Sequence, residues 1–177
     1  MEFREALLRR RSCRSYQEKS VEPRALGMIL EAANAAPVGM KLYENVQLTV
    51  VQNQELLSAI TENFRKITGK QDLNPLYGAP ALILVSVREK EGQIHPVDVA
   101  NVACIVENMH LQATELNLGS CYLFGIIETL NQSFDLLYKL GLQDGFWPVS
   151  ALAVGYPTEE APLREATIKR IHTNFID

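Results

Sequence analysis

Cysteine is scarce in this sequence. The 177 residues include three cysteines, Cys13, Cys104 and Cys121, an odd number that is widely spaced and forms no CxxC pair. This pattern favours reduced thiols in a cytosolic protein over a disulfide framework or a zinc site. No stretch reaches the roughly 20 apolar residues of a membrane span, and the charged N-terminus lacks the apolar core of a signal peptide. We therefore expect a soluble, cytoplasmic protein.

Several enzyme motifs are also missing. There is no GxGxxG after a strand, no GxxxxGK[ST], no GxSxG and no HExxH. Glu107 and His110 have the Glu-x-x-His spacing of a di-iron half-site, but such a site needs two copies, so we predict a polar edge on a mostly buried helix and no metal. Cys121 follows Ser120 without a neighbouring base, which favours a buried strand residue over a nucleophile. An enzyme of this sequence would borrow its reactive group from a cofactor.

Composition is that of an ordinary globular chain. Hydrophobic residues make up 47% and charged residues 21%, and the formal net charge is −4 with a pI near 5.5. A net negative charge disfavours broad binding to nucleic acid or to an anionic membrane. The length predicts one domain over residues 1–177 that can bury a core without disulfides.

Hydrophobic periodicity predicts alternating helices and strands packed as helices on a mixed central sheet. The helices are expected at 2–10, from 23 to before 37, at 54–67, 98–117 and 128–140, and the strands at 46–52, 81–87, 120–124 and 149–155. The helix at 98–117 is apolar nearly all round, which is typical of a helix that is part core and part subunit interface. Residues 158–177 have little helical pattern, and IHTNFI within them is either an edge strand or an arm on a partner.

A basic cluster follows the first predicted helix. Arg10, Arg11 and Arg14 surround Ser12, and guanidinium groups with a hydroxyl suit the oxygens of a phosphate. The helix macrodipole also stabilises cations near a helix C-terminus, but this effect explains one or two arginines and not three. A second basic group lies far along the chain and consists of Arg164, Lys169 and Arg170. This second group is either a solvated tail or the other half of one anion site.

Five segments, in this order, resemble the FMN-dependent nitroreductase family. They are RRRSCRSY at 9–16, VEPRALGMILEAANAAP at 21–37, YGAP at 77–80 before a buried strand, DVANVACIVENMHLQATELNLGSC at 98–121 and VGYP at 154–157. The resemblance implies an α+β, nitroreductase-like fold with a mixed central sheet flanked by helices. It also implies an intertwined homodimer with FMN in clefts between the subunits. Residues 1–177 would be one flavin-binding domain, with 158–177 as a C-terminal arm.

The resemblance further implies which residues contact FMN. The phosphate and ribityl chain would meet the opening basic motif, and basic residues near the C-terminus would close on the same phosphate. The segment after Ala36 would come from the other subunit, and backbone amides in the turn after the long helix would face the isoalloxazine ring. Arg164 follows GYP at a distance typical of the family, and Lys169 and Arg170 are alternatives to it at the phosphate. Gln71 and Asn74 are weaker candidates for the polar edge of the ring. The implied set is Arg10, Arg11, Ser12, Arg14, Pro37, Val38, Gly39, Lys41, Gln71, Asn74, Phe124, Gly125, Arg164, Lys169 and Arg170.

One segment departs from the family pattern. Where the family has A-P-S-x-x-N-x-Q-P, residues 36–44 read APVGMKLYE, so the serine, asparagine and glutamine are absent. This departure suggests a subgroup with a different pocket, and the short chain suggests a more open one. Lys41 or an arginine could supply positive charge near the N1/O2 edge of the flavin.

A flavin would explain the absence of a catalytic side chain, because it accepts hydride itself and needs the protein for binding, orientation and electrostatics. The implied function is an FMN-dependent oxidoreductase that uses NADH or NADPH to reduce a nitroaromatic, quinone, enone or related small acceptor by a ping-pong mechanism. The alternative is a non-catalytic flavin- or nucleotide-binding dimer with a regulatory or sequestering role. A flavin-independent interaction protein on the same scaffold is disfavoured by the intact opening motif.

Overall fold

Helices and strands alternate along the chain, close to the bounds that periodicity predicts. The computed structural model describes residues 1–176, which contain six α-helices and four strands. The helices are α1 (Phe3–Arg9), α2 (Pro23–Asn34), α3 (Gln54–Thr68), α4 (Pro96–Glu115), α5 (Ile127–Asn131) and α6 (Phe134–Lys139). The strands are β1 (Val46–Val51), β2 (Ala81–Arg88), β3 (Gly119–Leu123) and β4 (Phe146–Gly155). Short 3-10 turns cover Gly39–Lys41 and Tyr43–Asn45.

Two expectations near the C-terminal end are corrected. The helix expected at 128–140 is two helices, α5 and α6, because Ser133 between them has an extended backbone with ψ 92°. Strand β4 begins ahead of the expected residue 149. A register irregularity beside Val85 accommodates Pro148, which has no N–H to donate to a ladder. Residues 158–176 contain no helix or strand, so IHTNFI does not form the edge strand that was one of its two interpretations.

The sheet has the strand order β1-β2-β4-β3, and all three strand pairs are antiparallel. The α+β class is confirmed, but the expected mixture of strand directions is not found within the sheet. Parallel pairing in the described residues is limited to one isolated bridge, between Ser12 and Ser120. That bridge attaches the segment after α1 to the edge strand β3.

Both faces of the sheet are covered, which explains why β2 reads as a continuous apolar run. Ile83 and Val85 face a cluster with α2 and α4, whereas Leu82 and Leu84 face a cluster with α3 and α5. All four of these side chains are fully buried. Helix α4 packs against α2, β3 and β4 along one side. No helix of the described chain combines the length and apolarity of a membrane span.

The two ends of the chain meet at one edge of this sheet. After α1 the backbone runs extended, and the Cys13 N–H donates to the Ser120 carbonyl of β3 at 2.8 Å. Tyr16 forms a bridge with Pro157, just beyond β4. From the tail, the Arg164 N–H donates to the Leu8 carbonyl at the end of α1 at 3.1 Å. Basic residues far apart in sequence are thereby placed side by side.

The end of β4 requires a glycine, and this can be tested. A Cβ at Gly155 would lie 2.6 Å from Cδ of Pro80 and 2.9 Å from Cδ1 of Tyr16. Both distances are shorter than the contacts that Cβ atoms make with non-bonded heavy atoms in proteins. We expect Gly155→Ala to lower the free energy of unfolding by about 1–3 kcal/mol through overpacking. Gly27→Ala is the control, because nothing lies within 4 Å of its Cβ position in α2. The control should gain about 0.5–1 kcal/mol in urea unfolding, and equal stability of the two variants would contradict the close approach.

Candidate functional site

Three arginines converge where α1, the tail and α4 meet. The Arg10 Nε lies 3.4 Å from Oε1 of Glu107 on α4. The Arg11 Nη2 donates to the Pro162 carbonyl of the tail at 2.7 Å. The Arg164 guanidinium donates to the carbonyls of Leu7 at 2.8 Å and Leu8 at 3.2 Å. Arg164 therefore caps the C-terminal end of α1, where unpaired carbonyls favour a cation. The structure brings together the two basic groups that lie about 150 positions apart in the sequence.

The charges in this cluster are only partly compensated. The pKa of Arg164 is lowered from its usual value, first by partial burial and then by repulsion from Arg10, Arg170 and Arg11. Glu107 acts in the opposite direction, and its side chain remains 46% exposed. At 3.4 Å its contact with Arg10 is longer than the roughly 2.7–2.9 Å of a strong charge-assisted hydrogen bond. An anion with several acceptor oxygens would relieve the remaining repulsion.

Arg14 has a different neighbour, Tyr77. The Arg14 guanidinium carbon lies 5.7 Å from the centroid of the Tyr77 ring. A hydrogen bond with Tyr77 is the main cause that raises the pKa of Arg14. Tyr77 has a φ of 56°, which is uncommon for an aromatic residue, and it lies in the turn just before β2. This contact joins the opening basic motif to the turn at 77–80.

Ser120 and Cys121 lie on β3 beneath the opening motif. Cys121 is 2% exposed, and burial raises the pKa of its thiol above the usual value. Arg14 and a hydrogen bond with Ser12 lower that pKa less strongly than burial raises it. A thiol held in its neutral form is a poor nucleophile. The interpretation of Cys121 as a buried strand residue is therefore confirmed.

His110 was not among the predicted site residues, yet it contacts one of them. Its Nε2 lies 3.4 Å from the Arg10 Nη1, and its Nδ1 hydrogen-bonds with the Ser120 hydroxyl. Burial, followed by repulsion from Arg10, lowers the pKa of His110 to about 4. The signal in the sequence was the Glu107-x-x-His110 spacing. That spacing does form a polar edge on a mostly buried helix, and the edge faces Arg10.

The segment that follows α2 is strained. Met40 and Lys41 have φ values of 56° and 58°, a conformation that costs on the order of 1 kcal/mol or more for residues with a Cβ. Lys41 is exposed, and the Gly39 N–H donates to Oδ1 of Asn101 on α4 at 3.0 Å. Val38, in contrast, is buried in the core. Its side chain is therefore turned into the protein and does not extend toward a ligand.

The remaining predicted residues do not join the arginine cluster in the single chain. Gln71 donates to the Arg65 carbonyl at 3.4 Å, and Asn74 accepts from the Leu76 N–H at 3.0 Å, so both make local contacts. Phe124 is 67% exposed just beyond β3, and no atom lies within 4 Å of a Cβ position at Gly125. The other exposed candidates are Pro37, Lys169 and Arg170, of which Arg170 acts on the pKa of Arg164.

A cavity of about 480 Å³ lies between the segment after α1, the end of α4 and the tail. Of the predicted cofactor contacts, Arg11 alone lines it, with Cys13, Glu159 and Glu160 among its other walls. The other predicted contacts lie outside the lining of this cavity.

The buried imidazole makes stability depend on pH. Because its pKa falls from 6.5 to about 4 on folding, the unfolded chain binds the proton more readily between these values. The corresponding stabilisation is fully present above pH 6.5 and is lost as the pH falls toward 4, by about 3 kcal/mol in all. His110→Gln should remove this part of the pH dependence in urea unfolding. The control is His172→Gln in the exposed tail, whose stability should depend on pH as that of the unaltered protein does. If the free energy of unfolding depended on pH in the same way for all three proteins, a buried, neutral His110 would be contradicted.

Comparison with known proteins finds relatives over most of the chain. The family model described as the nitroreductase family matches residues 7–156. A nitroreductase from Bacteroides fragilis, solved with bound FMN, is 30% identical, with full coverage of both chains and a TM-score of 0.84. Two archaeal proteins provisionally named NADH dehydrogenase/NAD(P)H nitroreductase also match. The one from Archaeoglobus fulgidus is 29% identical over 89% of this chain and 86% of its own length. The one from Methanothermobacter thermautotrophicus is 26% identical over 93% of this chain and 82% of its own length. The chain belongs to the nitroreductase family.

Proposed function

We propose that this protein is an FMN-dependent oxidoreductase that takes electrons from NADH or NADPH and passes them to a small acceptor such as a nitroaromatic or a quinone. Family membership supports an oxidoreductase. The Bacteroides fragilis relative binds FMN, and the names of the archaeal relatives include NAD(P)H. The observation that carries the proposal is the convergence of arginines from both chain ends, where Arg11 donates to the tail at Pro162 and Arg164 donates to the end of α1.

The arginine cluster fits the phosphate of FMN. A phosphate monoester presents three terminal oxygens and close to two negative charges, and arginine binds it with two parallel hydrogen bonds. Arg10 and Arg11 come from the segment after α1, while Arg164 and Arg170 come from the tail. Among the described residues, Glu107 is the carboxylate that offsets their charge by raising the pKa of Arg164. Binding the phosphate would replace repulsion among these residues by attraction to a shared anion.

The chain's own role in the reaction is to bind and orient. FMN, when bound, supplies the group that accepts and donates hydride. In the turn after β3, the Cβ position of Gly125 faces open space and Phe124 beside it is 67% exposed, so the backbone amides of this turn are accessible to a ligand. An open turn of this kind admits a planar ring and leaves room for a flat donor or acceptor. We propose that donor and acceptor use this space in turn, which gives ping-pong kinetics.

We further propose an intertwined homodimer. The N-terminal half of α4 carries an exposed apolar face, with Val97 48% and Val99 42% exposed and with Ala100, Ala103 and Cys104 beside them. Ile168, Ile171 and Phe175 in the tail are each more than three-quarters exposed. A second copy would cover both surfaces, and its 37–41 segment would supply the contacts missing from one chain.

Three free thiols are typical of a reducing compartment and support a cytoplasmic location.

The flavin is tested by colour. Purified protein should be yellow and should release FMN on denaturation, and NADH or NADPH without oxygen should bleach it. A colourless protein that takes up no added FMN would contradict the proposal. A yellow protein that neither nucleotide bleaches would instead be the non-catalytic flavin-binding dimer, which the altered 36–44 segment favours.

Two neighbouring tail residues provide a matched pair for the same measurement. Arg170→Ala removes a positive charge that lowers the pKa of Arg164. Lys169→Ala removes a positive charge that is not among the causes of this pKa shift. We expect Arg170→Ala to weaken FMN binding about tenfold or more, and Lys169→Ala to change it little. Equal effects would argue against convergence of the tail on the phosphate.

The dimer is tested by light scattering at micromolar concentration. The unaltered protein should have the mass of two chains. Ala100→Glu should shift the mass toward one chain, because a charge on the exposed apolar face of α4 would have to be buried without a partner. Ser58→Glu on the exposed side of α3 should remain a dimer, and a monomeric unaltered protein would contradict the interface.

A further inference from the structure

One buried polar group has no part in the proposed function so far. His110 lies in the second half of α4 and is 1% exposed. Its two ring nitrogens connect three elements, because one contacts Arg10 after α1 and the other contacts Ser120 on β3. The same Ser120 accepts the Cys13 N–H through its carbonyl. His110 thus lies at the point where the opening motif is attached to the sheet.

The chemistry of arginine determines the state of the imidazole. A guanidinium has five donors and no acceptor, so Nε2 of His110 must accept from Arg10. The proton of a neutral ring then lies on Nδ1 and is donated to the Ser120 hydroxyl. The charged groups facing the ring from other elements are Arg10 and Arg164, and both lower its pKa, in agreement with a neutral ring.

We propose that His110 is the positioning residue for Arg10, and that it presents this guanidinium to the phosphate of the cofactor. Glu107, one helical turn before His110, forms an ion pair with Arg10 at 3.4 Å from its Nε, and His110 accepts one N–H of Nη1. Even if the Nε–H is assigned to Glu107, these two contacts occupy two of the five N–H groups. Three N–H groups of Arg10 are left for a ligand, enough for a bidentate phosphate contact. The identity of the ligand rests on the proposed function, whereas the Arg10–His110–Ser120 chain of hydrogen bonds does not.

A neutral acceptor suits this task better than a second carboxylate. A carboxylate at position 110 would orient Arg10 but would also neutralise the charge that attracts the phosphate. The imidazole orients the guanidinium without cancelling that charge. The His110 side of this contact is shielded from water, because His110 and Ser120 are each 1% exposed, while the Arg10 side chain is 27% exposed and can reach a ligand. The buried acceptor holds Arg10 in place before the ligand arrives.

The test compares FMN with riboflavin, which lacks the phosphate. Dissociation constants of both are measured by flavin fluorescence for the unaltered protein, His110→Leu and His110→Gln. His110→Leu should weaken FMN binding about tenfold and should leave riboflavin binding nearly unchanged. His110→Gln can still accept from Arg10 and should restore most of the FMN affinity. An equal loss for both flavins, or no loss for either, would overturn the positioning role.

A second measurement needs neither a variant nor a flavin. The ¹⁵N resonances of the His110 ring should show the Nδ1-protonated tautomer in the unaltered protein at neutral pH. The opposite tautomer, or a charged ring, would overturn the inference. A protein that binds neither flavin would contradict the proposed function. The tautomer alone would then show whether His110 accepts a hydrogen bond from Arg10.

Discussion

The attachment of the segment after α1 to the edge strand β3 is the constraint on which the rest of this structure depends. A single parallel bridge between Ser12 and Ser120 and the hydrogen bond from Cys13 hold that segment extended on the sheet. Side chains alternate along an extended segment, so neighbouring residues reach different surroundings. Arg10 reaches α4, whereas Arg11 reaches the tail. The tail closes over the same place because Arg164 caps α1.

This arrangement explains how a chain without a triad or a metal motif can still be an enzyme. Its residues gather positive charge at one edge of the sheet and leave an open turn at the end of the neighbouring strand. Such a scaffold binds and orients, and the reactive group is supplied by the cofactor. The polar side chains at this junction surround the arginines and hold them in position. His110 and Glu107 contact Arg10, and the Tyr77 ring lies 5.7 Å from the guanidinium carbon of Arg14.

The segment after α2 departs from the pattern of its family. Its serine, asparagine and glutamine are replaced, and two successive residues, Met40 and Lys41, have left-handed backbone conformations without being glycine. Strain of this kind persists where surrounding contacts hold it, and here the Gly39–Asn101 hydrogen bond attaches the segment to α4. The exposed face of α4 lies beside this segment. A partner subunit would therefore meet an altered loop and an apolar helix together.

Local patterns in the sequence were enough to predict most helices and strands, because hydrophobic spacing reflects which face of an element is buried. The continuous apolar run of β2 and the helical spacing of α3 are examples, and the order of five motifs identified the family. The antiparallel direction of every strand pair and the early start of β4 required the folded chain, since each depends on a distant partner. The partnership of His110 with Arg10 is of the same kind. Sequence records which side chains are present, but a hydrogen bond between residues 100 positions apart exists only after packing has placed one beside the other.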